Sequence, residues 1–409
     1  MTPRDRRLRT VLTALAAWSA LAGAALVGAA PATGVPDART IAPGVLYSQF
    51  DIPAAHGVTH AHVVTVDLRD PRVRIDLLTP GAVAARATVS RLARARGAVA
   101  GINGDFFDIS EAQHPGVEAT GSSDGPAIAG ARVLKAAVPN GQRFGPRLPP
   151  GADSEDVLGV GTDRRARLDR LSLSGSVRTP HGRLALRGLN QYALPVGSIG
   201  VYTSDWGSAS RMRAVCGTDT DRGAPCSTDT YEVTVRKGRV VAAAGRPGGG
   251  PVAVGTTVLV GREAGARQLR MLHQGERVQV RRRLVAASSR IPYRFAIGGF
   301  PVLRRGVPSA GLDNATSAVR TAVGVGDGGR RLLLLALDGA AAYRSGLTLA
   351  ELASELRRLG ATDGFNLDGG GSSTLVARRE GAGVVTVRNH PSSGAERPVP
   401  NGIGVFSAS

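Results

Sequence analysis

The chain has 409 residues, of which 42% are hydrophobic and 20% charged, and its formal net charge is +19. These values are typical of a folded protein and exclude a fibrous or broadly disordered chain. Nearly all of the positive charge is arginine, because Lys135 and Lys237 are the only lysines. The arginines are scattered and not interleaved with aromatic residues, which argues against a nucleic-acid-binding protein. The net charge still favours a general attraction to anionic polymers, such as phosphate-bearing cell-wall glycans.

Residues 1–34 have the pattern of a secretory signal peptide. A basic start, MTPRDRRLRT, precedes an Ala-rich apolar run, and small residues near Ala29 and Gly34 suit cleavage. An uncleaved anchor helix is the alternative, because the run is long. No second apolar run is long enough to cross a bilayer. The sequence therefore predicts a secreted or otherwise extracytoplasmic protein. Such a protein can be free or associated with the cell wall.

A predicted linker, residues 35–44, leads into one large domain over residues 45–409. Two alternating segments, HAHVVTVDL and VRIDLLTP, are typical of strands, and TVSRLARARG predicts a short amphipathic helix that ends at Gly97. AVAGINGDFFD then predicts a strand followed by a turn. Residues 110–155 are rich in Gly, Pro, Ser and Asp and predict long surface loops around a hairpin. Whether these loops form a lid is left open.

The central part of the domain, residues 156–285, consists of short alternating runs and is predicted to be strand-rich and antiparallel. Lys237-Gly238, in the middle of YEVTVRKGRVVAA, is a hairpin signal. The two cysteines, Cys216 and Cys226, are close enough in sequence to close a surface loop as a disulfide outside the cytoplasm. The aspartates between them resemble the start of a calcium loop, but the rest of that spacing is missing.

The last third of the chain has a different pattern. RLLLLALDG is a continuous apolar run, which is typical of a strand buried on both faces. Thr348 and Glu351 form a capping-box pair at the start of a helix that ends at Gly360, and GFNL is the next strand. One face of this helix is apolar at Leu349, Leu352, Ala353, Leu356 and Leu359. Strand, helix and strand together predict a right-handed crossover that joins two parallel strands. With the antiparallel central part, this predicts an α/β (mixed α+β) fold with a mixed sheet.

This crossover places two acidic residues at strand ends. Asp338 ends the first strand and Asp368 ends the second, so parallel strands would bring both carboxylates to one sheet edge, where ligands of open α/β sheets bind. Asn103 and Asp105 in NGDFFD also follow a strand. Two carboxylates in one cleft suit glycosidic cleavage, with one as nucleophile or base and the other as its partner. Asp368 is the first choice for the nucleophile or base.

The glycine run after Asp368 needs a separate explanation, because three adjacent glycines carry a large entropy penalty. We expect the run to allow close backbone approach and to leave N–H groups free for an anion. It is not a P-loop, since the Gly-Lys-Ser/Thr element and the following helix are absent. Arg320 and Arg397 carry guanidinium forks that suit a phosphate. Glu396 and Arg397 have the equal alternative of bracing their own loop.

Seven segments in chain order carry a family resemblance: NGDFF, AIGGFPVL, RTAVGVG, ALDG, GLTLAELASELRRLGA, NLDGGGSSTLV and ERPVPNGIGVF. Together they resemble the phosphodiester glycosidase family, which includes the uncovering enzyme of the mannose-6-phosphate pathway. The resemblance covers about residues 45–407 and is strongest near the C-terminus. It implies a mixed α/β domain that cleaves a sugar, N-acetylglucosamine in the uncovering enzyme, from a sugar-1-phosphodiester.

The resemblance also implies a set of site residues. Asp105, Asp338 and Asp368 are the implied catalytic residues. The implied substrate-binding residues are Asn103, Arg320, Asn366, Gly369, Gly370, Ser372, Ser373, Glu396 and Arg397. Two positions depart from the family pattern, because Ala340 stands where an arginine is frequent and Ser393 where an acid is usual. These departures weaken any conclusion about the sugar.

Other residues have simpler interpretations. His60 and His62 form an H-x-H pair with zinc-like spacing but no third ligand nearby, so an ordinary strand is expected. His390 lies beside the glycine run in the predicted site and is a candidate for substrate contact. Ser372 and Ser373 are not in a nucleophile elbow and are expected to hydrogen-bond sugar or phosphate. Trp206 is either a core residue or a stacking platform for a sugar.

The sequence therefore favours a secreted hydrolase that cleaves a glycosyl-1-phosphodiester in cell-wall or capsular glycans. The partner is a glycan or glycosyl-phosphodiester substrate, with no nucleic acid and no membrane span beyond the N-terminal segment. No cofactor is expected, although a divalent cation is left open. Two alternatives remain: a non-catalytic cell-surface glycan-binding protein, and a metal-dependent phosphodiesterase that cuts P–O rather than C–O.

Overall fold

The structure is a computed structural model that describes residues 37–343 and 345–408, so the predicted signal peptide lies outside the described residues. Short helices and many strands alternate along the chain. The N-terminal elements are β1 (Arg39–Ala42), β2 (Val45–Ala54), β3 (Gly57–Asp67), β4 (Val73–Leu78), α1 (Val89–Ala95), β5 (Ala100–Asn103), β6 (Ala127–Ala129) and β7 (Arg132–Lys135). The strand β1 forms within the predicted linker. No described helix has the length and apolar character needed to span a bilayer.

The central part is built almost entirely of strands, as predicted. Its elements are β8 (Asp156–Gly161), β9 (Ala166–Thr179), β10 (Gly182–Leu186), β11 (Gly188–Leu189), β12 (Ile199–Tyr202), β13 (Thr230–Arg236), β14 (Arg239–Ala244), β15 (Thr256–Arg262), α2 (Ala264–Arg270) and β16 (Gln279–Ala286). The predicted hairpin is confirmed, because Lys237 and Gly238 have φ of 49° and 72° and join β13 to β14. The predicted disulfide between Cys216 and Cys226 is also present.

The C-terminal part completes the fold. Its elements are β17 (Tyr293–Gly298), β18 (Phe300–Arg304), β19 (Val307–Pro308), β20 (Thr321–Gly326), β21 (Arg331–Leu337), α3 (Leu349–Arg358), β22 (Asp363–Leu367), β23 (Leu375–Arg378), β24 (Val385–Val387) and β25 (Gly402–Ser407). Thr348 and Glu351 form the predicted capping box of α3, which fixes where the helix begins. The predicted apolar face of α3 is buried, with each of its five side chains at most 2% exposed.

The strands form four sheets. The largest has eight strands in the order β1-β2-β3-β21-β20-β22-β18-β19. A second sheet has the order β10-β9-β8-β17-β6-β7, with β16 also paired to β9. The other two have five strands each, in the orders β11-β12-β15-β13-β14 and β24-β23-β5-β25-β4. Within the described residues, strand pairing is antiparallel except between β11 and β12.

The predicted crossover needs a correction. β21 and β22 both pair antiparallel with β20, which lies between them. They therefore run in the same direction but are not neighbours, and the large sheet is antiparallel rather than mixed. The apolar run of β21 reflects burial on both faces and not strand direction: Leu332, Leu334 and Ala336 pack into one core cluster, and the residues between them pack into another with α3. The mixed α+β class itself agrees with the structure.

Candidate functional site

Two acidic residues lie at one edge of the large sheet. Asp338 follows β21 and Asp368 follows β22, and β20 begins at Thr321 between these two ends. Because β21 and β22 run in the same direction, they end at the same edge of the sheet although they are not neighbours. The order of the strands therefore brings Asp338, Asp368 and Arg320, the residue before β20, to one edge.

Asn103 connects this edge to the sheet that contains β5. Its Nδ2 donates a hydrogen bond to the Asp368 carbonyl oxygen (2.7 Å), and its Oδ1 accepts from the Thr374 amide (3.0 Å) and from Thr321 Oγ1 (3.0 Å). The side chain is fully buried. Asn103 therefore fixes the backbone on both sides of the glycine run, and it acts on the site by positioning Asp368.

The structure gives a reason for each glycine after Asp368. A Cβ on Gly369 would lie 2.5 Å from the Val319 carbonyl oxygen, and one on Gly371 would overlap the Arg397 guanidinium. Gly370 has φ of +56°, in the left-handed region that other residues adopt at a cost. The amides of Gly370, Ser372 and Ser373 donate to backbone carbonyls, so these three are not free for an anion. The glycines serve close packing.

Asp368 and Gly369 line a cavity of about 850 Å³. One wall is the segment 145–150, a second is the segment around Thr316 and Arg320, and Phe106 and Leu349 contribute apolar surface. A cavity of this size with a few polar groups suits a small-molecule or glycosyl ligand. We call it the Asp368 cavity.

The Asp368 carboxyl has a shifted pKa. Burial raises its pKa to about 6, and the negative charge of Asp124 acts in the same direction, whereas the Ser372 hydroxyl and the positive charge of Arg397 oppose this. A carboxylate with a pKa near 6 is largely ionised at neutral pH and more basic than an exposed aspartate. Such a group suits a nucleophile or general base.

Arg320 is the predicted guanidinium that reaches the Asp368 cavity. Its side chain is buried, and it donates from Nε to the Leu347 carbonyl oxygen (2.9 Å) and from Nη2 to that of Thr316 (2.9 Å). These bonds hold the fork in place at the cavity wall. A fixed positive charge in the lining of this cavity is suited to an anionic ligand such as a phosphodiester.

Arg397 has a different position. Its Nη1 donates to Ser372 Oγ (3.2 Å), and its guanidinium packs against Gly371, but it does not line the Asp368 cavity. Glu396 accepts a hydrogen bond from the Ser90 amide (2.9 Å) at the start of α1. Of the two expectations for this pair, the structure therefore favours bracing of the loop over direct phosphate contact.

Asp338 lies at the shared edge but does not line the Asp368 cavity. It is 2% exposed and accepts hydrogen bonds from the Ala340 amide (2.7 Å) and from His390 Nδ1 (2.7 Å), with His62 Nε2 at 3.4 Å. Burial raises the pKa of Asp338, but these hydrogen bonds outweigh it and hold the pKa below its ordinary value. Of the two acids predicted to share a cleft, Asp368 lines this cavity and Asp338 does not.

The histidines around Asp338 explain its burial. Burial lowers the pKa of His62 to about 4, so the imidazole ring is neutral at pH 7. Its Nδ1 forms a hydrogen bond of 2.8 Å with the Tyr47 hydroxyl in the core. The His390 side chain is 74% exposed. His390 is therefore an exposed hydrogen-bond partner of the buried Asp338 carboxylate, and its backbone oxygen also accepts from the Gly339 amide (2.7 Å).

Asp105 is buried in a separate polar cluster. Its Oδ2 accepts from the Gly125 amide (2.7 Å), and its neighbours Asp124 and Lys135 are also buried. Burial and the charge of Asp124 raise the pKa of Asp105 to about 7, while burial lowers that of Lys135 to about 8. Phe106, and not Asp105, lines the Asp368 cavity. Asp105 is therefore buried next to the lining residue Phe106 in sequence and is not part of the cavity wall.

The remaining predicted site residues are internal. Asn366 is buried, its Nδ2 donates to the Leu367 carbonyl oxygen (3.1 Å), and its Oδ1 is a buried acceptor without a partner among the described residues. The Ser373 hydroxyl lies 3.0 Å from Thr321 Oγ1 inside the core and donates to it, because the Thr321 proton is given to Asn103. Trp206 is fully buried and donates to the Ala209 carbonyl oxygen (2.9 Å), so it is a core residue and not a platform for a sugar.

The side chains considered as metal ligands have other partners in the structure. Within residues 37–343 and 345–408, the one group of three clustered side chains of suitable type is His114 with Cys216 and Cys226, and both cysteines are in the disulfide. Asp221 accepts from the Gly223 amide (2.8 Å), as turn residues do, whereas Asp219 accepts from the distant Val196 amide (2.9 Å). His60 pairs with Asp51, which agrees with an ordinary strand.

Sequence reasoning missed part of the site. The segment 145–150, Asp313 and Thr316 line the Asp368 cavity, and Asp124 and Lys135 complete the buried cluster around Asp105. One signal was present, because Lys135 is one of two lysines in an arginine-rich chain. Nothing in the spacing of the loop residues indicates that they converge.

The chain matches one known protein family over part of its length. Residues 229–406 match the phosphodiester glycosidase family. The predicted resemblance to that family is therefore confirmed over this range, which contains Arg320, Asp338 and Asp368. Asn103 and Asp105 lie outside the matched residues. No curated protein matches the sequence.

Solved structures show similar folds. A hypothetical protein from Synechocystis has a TM-score of 0.67 and 22% identity; the match covers 90% of this chain and 62% of that one. A Burkholderia pseudomallei protein, named as exported, has a TM-score of 0.64 and 25% identity, with 85% and 74% covered. The catalytic domain of zebrafish N-acetylglucosamine-1-phosphodiester alpha-N-acetylglucosaminidase, auto-inhibited by its propeptide, has a TM-score of 0.44 and 16% identity, with 90% and 86% covered.

Proposed function

We propose that this protein is a secreted hydrolase that releases a sugar from a glycosyl-1-phosphodiester, in cell-wall or capsular glycans. The observation that carries the proposal is the Asp368 cavity, whose lining includes both a carboxyl group with a raised pKa and the Arg320 guanidinium. The match to the phosphodiester glycosidase family supports glycosidase activity on a phosphodiester. The signal-peptide pattern supports secretion.

In the proposed reaction Asp368 acts at the anomeric carbon in one of two ways. It attacks directly and forms a glycosyl ester that water then hydrolyses, or it removes a proton from the water that attacks. The C–O bond breaks, and its electron pair stays with the leaving phosphomonoester. Arg320, held at the cavity wall by two carbonyl oxygens, stabilises the negative charge on this group. A phosphomonoester is a good leaving group, so the reaction needs little acid assistance. Arg397 lies behind Gly371 and favours the ionised form of Asp368.

The test is a cleavage assay with a soluble glycosyl-1-phosphodiester in water enriched in oxygen-18. We expect free sugar that carries the heavy oxygen, because water supplies the new bond at the anomeric carbon. Heavy oxygen in the phosphate would identify cleavage of P–O, and loss of that activity with a chelator would identify a metal-dependent phosphodiesterase. Binding without turnover would identify a glycan-binding protein. Each of these last outcomes contradicts the proposal.

The pKa of Asp368 gives the proposal a pH dependence. Since the group works as a carboxylate, activity is present above its pKa of about 6 and is lost as pH falls through that value. We expect kcat/KM to fall about tenfold per pH unit below this point. Removing the positive charge with Arg397→Gln raises the pKa of Asp368, so the acid limb of the pH–rate profile moves to higher pH.

Arg397→Lys is the matched control for that experiment, because it keeps the positive charge beside the glycine run. We expect its acid limb to stay near that of the unaltered protein, whatever its rate. An acid limb near pH 4, the ordinary range of an exposed aspartate, would contradict the assignment of Asp368. So would equal limbs in the Gln and Lys variants.

A further inference from the structure

A row of arginines crosses the strands β10, β9 and β16 in the central part of the chain. Arg178 on β9 lies directly opposite Arg183 on β10 and Gln279 on β16. Directly opposite residues share one face of a sheet, so all three side chains lie on the same face. Arg281, two positions farther along β16, is on this face as well. All four residues are exposed to solvent.

These arginines lack acidic partners. Within residues 37–343 and 345–408, Arg178, Arg183 and Arg281 form neither an ion pair nor a side-chain hydrogen bond. The nearby Glu276 accepts from His181 Nε2 (3.1 Å) and from the His273 amide (2.9 Å). Like charges directly opposite on neighbouring strands repel each other. No acidic side chain among the described residues pairs with these arginines to offset the repulsion. An anionic ligand bound between them would offset it.

The surface is also concave. Two adjoining cavities of about 490 and 730 Å³ share Arg178, Thr179, Pro180 and Gln279. Neither is lined by an aspartate, a glutamate or an aromatic residue, and neither shares a residue with the Asp368 cavity. We call this joined surface the arginine groove. Its cations are Arg178, Arg183, Lys237, Arg239, Arg277 and Arg281.

We infer that the arginine groove binds a linear polymer with repeating phosphodiester groups, as in phosphate-bearing cell-wall glycans. A single phosphate needs one or two guanidinium forks, whereas six cations along a groove match successive charges of a polyanion. The groove has no aromatic ring for stacking on nucleic-acid bases, which disfavours single-stranded nucleic acid. The choice of polymer rests on the proposed function. The groove then holds the polymer while the Asp368 cavity cleaves it.

The experiment measures binding of the intact protein to a poly(glycerol phosphate) chain at several salt concentrations. The test variant is Arg178→Gln with Arg281→Gln. The matched control is Arg357→Gln with Arg379→Gln, which removes the same charge at exposed positions outside both cavities. We expect the test variant to bind at least about tenfold more weakly, because two charge-assisted contacts are lost. Its affinity should also depend less steeply on salt, since fewer counterions are released.

The control variant should bind within about twofold of the unaltered protein, since uncontacted charges act only through the screened field. Both variants should cleave a small soluble glycosyl phosphodiester at the unaltered rate. Equal losses in the two variants would overturn the inference, because only net charge would then matter. Equally tight binding of single-stranded DNA or of anionic phospholipid vesicles would overturn the assignment of the polymer. Absence of hydrolysis would contradict the proposed function, while the binding comparison would still test the groove.

Discussion

Asp368→Asn is expected to reduce kcat on a glycosyl-1-phosphodiester at least about 1,000-fold, because the amide is neither a nucleophile nor a base. The change should leave the fold intact. The backbone at this position is held by Asn103 and by a hydrogen bond from the Asp368 amide to the Gly104 carbonyl oxygen (2.9 Å), which the substitution does not alter. The measurement is steady-state hydrolysis together with thermal unfolding of both proteins.

The chain offers a matched control on the same strand. Asp363 begins β22, at the opposite end from Asp368, and its carboxylate accepts from the Arg305 amide (3.1 Å). Asp363→Asn should change kcat by less than about twofold, since it removes a charge far from the proposed chemistry. If Asp368→Asn keeps more than about a tenth of the activity, the carboxylate does not carry the reaction.

Lys135→Met is expected to lower the free energy of unfolding by about 3–5 kcal/mol, the usual effect of removing one partner from a buried charge pair. The ammonium is 1% exposed and donates to the carbonyl oxygens of Gly125 (2.5 Å) and Ala136 (2.8 Å). Its charge also stabilises the carboxylates of Asp105 and Asp124. Methionine fills similar volume but supplies neither the charge nor the hydrogen bonds.

The effect should depend on pH with a defined sign. The folded pKa of Asp105, about 7, lies above the ordinary 3.8, so the folded state keeps a proton that the unfolded state releases. This group therefore contributes a loss of stability as pH rises from about 4 to about 7. Without Lys135 its folded pKa rises further, and the loss continues at higher pH. We expect the deficit of the variant, measured by urea unfolding, to be larger at pH 8 than at pH 5.

Lys237→Met is the control, because Lys237 is the other lysine and is exposed in the β13–β14 turn. Its substitution should change the free energy of unfolding by no more than about 0.5 kcal/mol. A Lys135 variant that unfolds like the unaltered protein, or that loses the same free energy at both pH values, would show that the lysine does not compensate buried carboxylates.

Local sequence patterns determined many of the elements. The Thr348–Glu351 capping box and the apolar face of α3 predicted that helix, because helix ends and helix faces depend on residues three or four apart. Lys237-Gly238 predicted the hairpin in the same way. The strand ends that carry Asp338 and Asp368 were also readable, since a polar residue after an apolar run marks the end of a buried strand.

The motifs near the C-terminus also predicted the family. The combination of NLDGGGSST with ERPVPN is specific, and the match over residues 229–406 agrees with it. Beyond that range, the resemblance named Asn103 and Asp105 by motif. In the structure the two residues have different roles. Asn103 positions the Asp368 backbone, whereas Asp105 belongs to a buried cluster with Lys135.

Strand order and side-chain neighbours were decided only by the tertiary structure. The apolar run of β21 indicates burial on both faces, but it does not indicate which strand lies beside β21. The position of β20 between β21 and β22 was therefore not predicted. For the same reason, Asp338 was expected at the cavity, whereas His62 and His390 hold it in the core. Contacts between segments hundreds of residues apart leave no periodic pattern in a single chain. The sequence alone thus determined the elements and the acids at their ends, and the packing of distant segments decided which acid meets the cavity.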